Sequence, residues 1–316
     1  MKNAPIVLSN GHEIRYVVAS GALAFDGKGW WWERPLVWLG FIRPDFFTVV
    51  LKSLTLKPRE GNLVWYKPWT CIRLIDGGAV NKVGLTNPGV DYWCEHITPT
   101  IDFSNGNIVV SLFGSGDELV EGAKKVDKFK VAAIEVNDSC PNSGYGQSQA
   151  ETVIENVKRV KGVSRHPIIV KVSVAQDYLA IAAGLKGIAE AISINSVPWE
   201  TVYSQFKSPL WRLEKKIGGG GGGVSGGPAK FFNWKAAKEL SEQGLLPVIA
   251  PSIMKFDDMR KVRKLGASAV SFGAIHLPDH DWWYKPWKLF TWFTNPCKPT
   301  NFVKKEMNDD RNSVGC

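Results

Sequence analysis

The stretch NIVVSLFGSGDELVEGAKKVDKFKVAAIEVNDSCPNSGYGQSQAETVIENVKRVKGVSRHPIIVKV, residues 107 to 172, decides the fold. Three short β-branched runs lie in it: NIVVSLF (107 to 113), VAAIEV (131 to 136) and PIIVKV (167 to 172). Between them, GDELVEGAKKV (116 to 126) and ETVIENVKRV (151 to 160) return an apolar residue every three or four positions. Continuous rather than alternating apolar runs mark strands covered on both faces, and the intervening period marks amphipathic helices. The order predicts parallel strands joined by helical crossovers.

The same unit recurs on either side. RYVVAS (15 to 20) and FTVVLK (47 to 52) precede it, and AEAISI (189 to 194), LPVIA (246 to 250) and SAVSF (268 to 272) follow. Helical patterns accompany the later runs at 177 to 186, 233 to 243 and 257 to 265. Eight strands predict an α/β fold of the (β/α)8 TIM barrel type, with a doubly wound open sheet as the competing arrangement. A single domain is expected over 1–300, with 301–316 as a polar, disordered C-terminal tail. Three stretches break the repeat: an aromatic-rich insertion after strand 1 (22 to 46), a hairpin excursion (53 to 76) and a Trp-rich tail from about 276. The glycine run from Gly218 to Gly223 reads as a loop after the sixth strand.

At 44% hydrophobic and 22% charged, the chain has a globular composition, which excludes disordered and collagen-like classes. No run of 18 apolar residues occurs and no secretory zones open the sequence, so a cytoplasmic location is expected. Five cysteines without CxxC spacing argue against a disulfide framework and a metal site. The net charge of +9 permits attraction to anions without selecting one. Trp30, Trp31, Trp32 and Trp38 sit in the insertion, and Trp282, Trp283, Trp287 and Trp292 sit in the tail beside Lys285 and Lys288. Such a mixture suits a homodimer interface, a cover over the barrel or a peripheral membrane contact.

In a barrel of this type the chemistry lies at the C-terminal ends of the strands. Those ends carry Ala19, Ser20 and Gly21, then Lys52 and Ser53, then Asn137, Cys140 and Asn142. Lys171, Asn195, Ser196, Ser252, Gly273 and Ala274 follow on the later strands. Two lysines near a mouth point to an anionic ligand, because a buried ammonium is costly without negative charge. Carboxamides match a planar heterocycle of alternating C=O and N–H groups, and the thiol is a candidate base or nucleophile.

The segments LKSLTLKPREGN (51 to 62), VNKVGLTNPGVD (80 to 91), EVNDSCPNSGYG (135 to 146), IIVKVS (168 to 173), SINSV (193 to 197) and GGVSGG (222 to 227) resemble the dihydroorotate dehydrogenases in order and spacing. The resemblance implies an FMN-binding barrel that oxidises dihydroorotate to orotate in pyrimidine synthesis. Cys140 stands where the cytosolic class has its base, whereas the membrane, quinone-linked class has Ser. The resemblance implies that Cys140 takes a proton from C5 while a hydride leaves C6 for the flavin. By the same implication, Lys171 offsets negative charge on the reduced ring, and Lys52 meets the substrate carboxylate and the flavin edge. Asn81, Gly84, Leu85, Asn137, Asn142, Asn195 and Ser196 would bracket the substrate. Ala19, Ser20, Gly21, Lys52, Ser53, Asn137, Lys171, Asn195, Gly226, Gly227, Ser252, Gly273 and Ala274 would hold FMN.

One departure stands out. Where that family has a Gly-Gly pair after the seventh strand, this sequence reads Ala250-Pro251-Ser252-Ile253, which removes an amide donor and leaves Ser252 to supply a hydroxyl. Fumarate, quinone, or NAD through an electron-transfer partner all remain open as the acceptor. Two other functions stay in view: an FMN barrel acting on another uracil-like ring (a free dihydropyrimidine or tRNA dihydrouridine), and a non-catalytic basic, aromatic barrel binding membrane or nucleic acid. A nucleic-acid partner is not expected, because the tail after 276 is too short for an RNA-binding domain.

Overall fold

The computed structural model describes residues 4–139 and 149–314. Eight parallel strands close into a barrel: β1 (Tyr16–Val18), β2 (Thr48–Val50), β3 (Ile108–Leu112), β4 (Ala133–Asn137), β5 (Ile168–Val172), β6 (Ala191–Ile194), β7 (Val248–Ala250) and β8 (Ala269–Phe272). Neighbours follow chain order all the way round, and β8 pairs with β1. Each strand falls on one of the eight runs read from the sequence, so the chain is a (β/α)8 barrel.

Period-two alternation sorts the interior into layers. Val17, Val50, Val109, Ala133, Ile169, Ala191, Ile249 and Ala269, one from each strand, form a single apolar cluster with Ile6, Leu8 and Ile14. The last three belong to a small hairpin (Ile6–Val7 paired with Glu13–Ile14) that closes the N-terminal end of the barrel. Two residues further along each strand the same face carries Ala19, Lys52, Ser111, Glu135, Lys171, Ser193, Pro251 and Ser271. The interior therefore changes from dry to polar within one strand repeat.

Outside the barrel a second cluster packs strands against helices. Helix α1 (Gly116–Val126) buries Leu119, Ala123 and Val126, and α2 (Ala150–Lys161) buries Val153, Val157 and Val160, each at the spacing of one helix face. Helices α3 (Tyr178–Gly184), α4 (Lys230–Gln243) and α5 (Phe256–Lys264) continue the ring. The first two strands lack a long helix after them; short helices at Arg34–Trp38 and Val90–Tyr92 stand in their place.

Two expectations are corrected. The hairpin lies at Ile72–Ile75 and Gly78–Asn81 rather than within 53 to 76, and it joins Gly223–Gly226 and Val197–Pro198 in a four-stranded antiparallel sheet. The Asp76-Gly77 pair sets its position, since Gly77 takes φ +67° at the turn. The tail, expected to be disordered, is helical over its described residues: α6 (Lys298–Val314) buries Val303 and Glu306 against the barrel. Glu306 accepts a hydrogen bond of 2.6 Å from the Tyr16 hydroxyl on β1 and pairs with Arg263 on α5. Burial, reinforced by that carboxylate, pushes the Tyr16 hydroxyl up to about 12. The segment is so polar that its few inward residues left no readable period.

Breaking a buried pair strands the remaining charge, at about 3 kcal/mol or more. Glu306→Ala should lower the unfolding free energy by about that amount in urea titration. A loss under about 1 kcal/mol, typical of a surface pair, would show α6 to be a detachable appendage.

Candidate active site

A cavity of about 470 Å³ opens at the C-terminal ends of the strands. That size lies within the range of about 300–1,000 Å³ usual for small-molecule sites. Its floor is the apolar layer, through Val17, Val50, Ile169 and Ile249. Its walls bring together nearly all of the site residues read from the sequence. Ala19, Ser20, Gly21, Lys52, Ser53, Asn81, Gly84, Leu85, Asn137, Lys171, Asn195, Ser196, Gly226, Ser252, Gly273 and Ala274 all line it.

Three other residues read from the sequence are not among them. Gly227 does not line the cavity, and its amide is already used, donating to the Gly77 carbonyl at 2.8 Å. Cys140 and Asn142 lie outside the described residues. Cys71, Cys94 and Cys297 form no disulfide. Burial pushes all three thiols up, Cys71 to about 11 despite the nearby Lys52 ammonium, so each is protonated at neutral pH.

A chain of hydrogen bonds runs across the polar layer, and its direction is fixed by its end. The Glu135 carboxylate accepts from Ser111 Oγ (2.9 Å), Ser193 Oγ (3.1 Å) and Lys171 Nζ (3.2 Å). Ser111 has thereby spent its proton, so Ser53 must donate to it at 2.8 Å. Ser53 in turn accepts from Asn137 Nδ2 at 3.0 Å, and Asn195 Nδ2 donates to Ser139 Oγ at 3.1 Å. The carboxamides of Asn137 and Asn195 are thus held by neighbouring side chains.

Glu135 was missed in the sequence. The signal was present: an acid inside an otherwise apolar strand, two residues before Asn137 and hence on the same face. The role of Trp30, Trp31, Trp32 and Trp292 as cavity walls was legible only as one choice among three, and Trp65, which joins them, was not singled out. Trp32 stands edge-on to Trp292 with ring centroids 6.2 Å apart, joining insertion to tail. Glu33 beneath them pairs with His276 at 3.2 Å, both buried, which pins the insertion to the loop after β8.

The loop after β7 keeps a glycine-like backbone without glycine. Ser252 adopts φ +67°, a region costly for a residue with a Cβ. Its hydroxyl accepts from Asn233 Nδ2 at 3.0 Å, and Trp234 Nε1 donates to the Pro251 carbonyl at 3.1 Å. Facing it, Gly226 has no room for a Cβ, which would lie 2.7 Å from the Gly77 carbonyl oxygen. Backbone thus forms this part of the wall, as a phosphate cradle requires.

A family model described as dihydroorotate dehydrogenase matches residues 38–285. The chain is 33% identical over 245 residues to the dihydroorotate dehydrogenase B (NAD(+)) catalytic subunit of Caldicellulosiruptor saccharolyticus, covering 74% of this chain and 77% of that protein. It is 32% identical to the proteins of the same description from Bacteroides thetaiotaomicron (73% and 76% covered) and Desulforamulus reducens (72% and 75% covered).

Lys171→Met leaves Glu135 buried without its cation. The unfolding free energy at neutral pH should fall by about 3 kcal/mol. A fall within about 0.5 kcal/mol would show that solvent, not the ammonium, balances the carboxylate.

Proposed function

Because the chain belongs to the dihydroorotate dehydrogenase family, we propose that its cavity holds FMN and dihydroorotate together and oxidises the latter to orotate. The observation that carries this reading is the convergence of Lys52, Lys171, Asn81, Asn137 and Asn195 on one cavity with an apolar floor. The residues present fit the cofactor. Gly226, Ser252, Gly273 and Ala274 form a wall suited to the phosphate, and Lys171 supplies positive charge for the ring.

FMN, when bound, is the hydride acceptor for C6 of the substrate. The chain's own residues do the rest. Cys140 takes the proton from C5. Lys52 meets the substrate carboxylate, and Asn81, Asn137, Asn142 and Asn195 with Ser196 satisfy the pyrimidine edge, assisted by backbone at Gly84 and Leu85. Gly84 and Leu85 both adopt positive φ, +68° and +61°, which turns that backbone sharply at the cavity wall. Each such bond adds discrimination, since an analogue lacking the group leaves a buried polar atom unpaired.

The relatives' description as NAD(+)-linked catalytic subunits supports a partner subunit that carries electrons onward. The exposed rings of Trp31 and Trp65 on the cavity wall, with Trp283 and Trp287 exposed elsewhere on the surface, support the same reading. A homodimer and a cytoplasmic site of action complete the proposal. Among the described residues no helix is long and apolar enough to cross a membrane.

Purified chain should take up FMN, and its flavin absorption should bleach on anaerobic addition of dihydroorotate. Failure to take up FMN overturns the proposal, and retention without bleaching points to another uracil-like ring. Cys140→Ser should slow flavin reduction roughly hundredfold or more near neutral pH while orotate still binds. With a thiol base of pKa about 8.5, the wild-type rate should rise about tenfold per pH unit below that value. A flat profile in stopped-flow measurements would assign the base to another group.

A further inference from the structure

Glu135 stands in a place where a carboxylate needs a reason. It faces a cavity that, on the function proposed above, receives anions at both ends, the substrate carboxylate and the cofactor phosphate. An uncompensated acid there would weaken both. Only 3% of its side chain is exposed, and its three hydrogen-bond donors consume three of its lone-pair directions. Two of those donors are neutral hydroxyls from different strands, Ser111 on β3 and Ser193 on β6. They hold the carboxylate from two sides without supplying a counter-charge.

The third donor is Lys171, with 9% of its side chain exposed. A lysine has four rotatable carbons and no preferred direction of its own. Glu135 removes that freedom at a distance of 3.2 Å. Lys52, the other lysine on the cavity wall, lies in a different setting, with Nζ 5.5 Å from the Phe25 ring centre.

From this geometry we propose that Glu135 is a positioning residue that sets the reduction potential of the bound flavin through Lys171. It acts in two ways. It holds the ammonium in one place, and it offsets part of the positive field that would otherwise stabilise the extra negative charge of the reduced ring. Removing the carboxylate charge leaves Lys171 to act on the ring undiminished. The reduced form is then bound more tightly relative to the oxidised form, and the potential rises. The wild-type pair keeps the flavin reducing enough to pass its electrons on.

The inference rests on the reading that the cavity binds FMN. Its test is the ratio of affinities for reduced and oxidised FMN, from spectroelectrochemical titration of FMN-loaded protein. Glu135→Gln keeps the shape and removes the charge. It should raise that ratio about tenfold, a positive shift of about 30 mV for a two-electron couple. Glu135→Asp keeps the charge but withdraws it by one methylene, and it should shift the ratio in the same direction by less. That variant also serves where Glu135→Gln does not fold. A ratio unchanged in every variant that folds, alongside intact FMN binding, overturns this inference alone. A wild-type chain that takes up no FMN overturns the cofactor reading together with it. A purely structural role for Glu135 would lower the melting temperature and leave the ratio where it was.

Discussion

A carboxylate inside a closed barrel is tolerable only when a cation and further hydrogen-bond donors meet it, and Glu135 satisfies that condition through Lys171 and hydroxyls from two other strands. The rest of the site is arranged around this requirement. Ser111 exists to serve the carboxylate, Ser53 serves Ser111, and Asn137 is oriented by Ser53. The Asn137 carboxamide on the cavity wall thus inherits its orientation from a carboxylate three hydrogen bonds away. The layer below is wholly apolar, which keeps water from competing for these bonds from beneath.

Much of this was legible in the chain. The eight strands stood out because strands covered on both faces must be continuously apolar, and runs such as PIIVKV and VAAIEV have few other uses. Strand ends then located the cavity residues, since period-two alternation places Lys171 and Asn137 on the inner face once Ile169 and Ala133 are known to be inside. What escaped was whatever depends on partners distant in sequence. Glu135 looks like an anomaly in its own strand and makes sense only beside Ser193, 58 residues away. Glu306 looks like part of a solvated tail until Tyr16, 290 residues earlier, is seen to donate to it.

The departure after β7 follows the same logic. Proline and serine in place of a glycine pair implied an altered cradle with one amide donor fewer, yet Ser252 keeps the left-handed backbone that glycine would have adopted without strain. The cost is met locally by the side chains of Asn233 and Trp234, both from the first turns of α4. A loop conformation can thus outlast the residue type best suited to it when a neighbouring helix supplies the restraint.

The hairpin at Ile6–Ile14 has a bearing on traffic. Its apolar side chains are driven into the base of the barrel, so among the described residues the cavity opens at the other end, beside tryptophans from the insertion and the tail. A molecule seated against that closed base is reached from the strand-end side, past those indole rings.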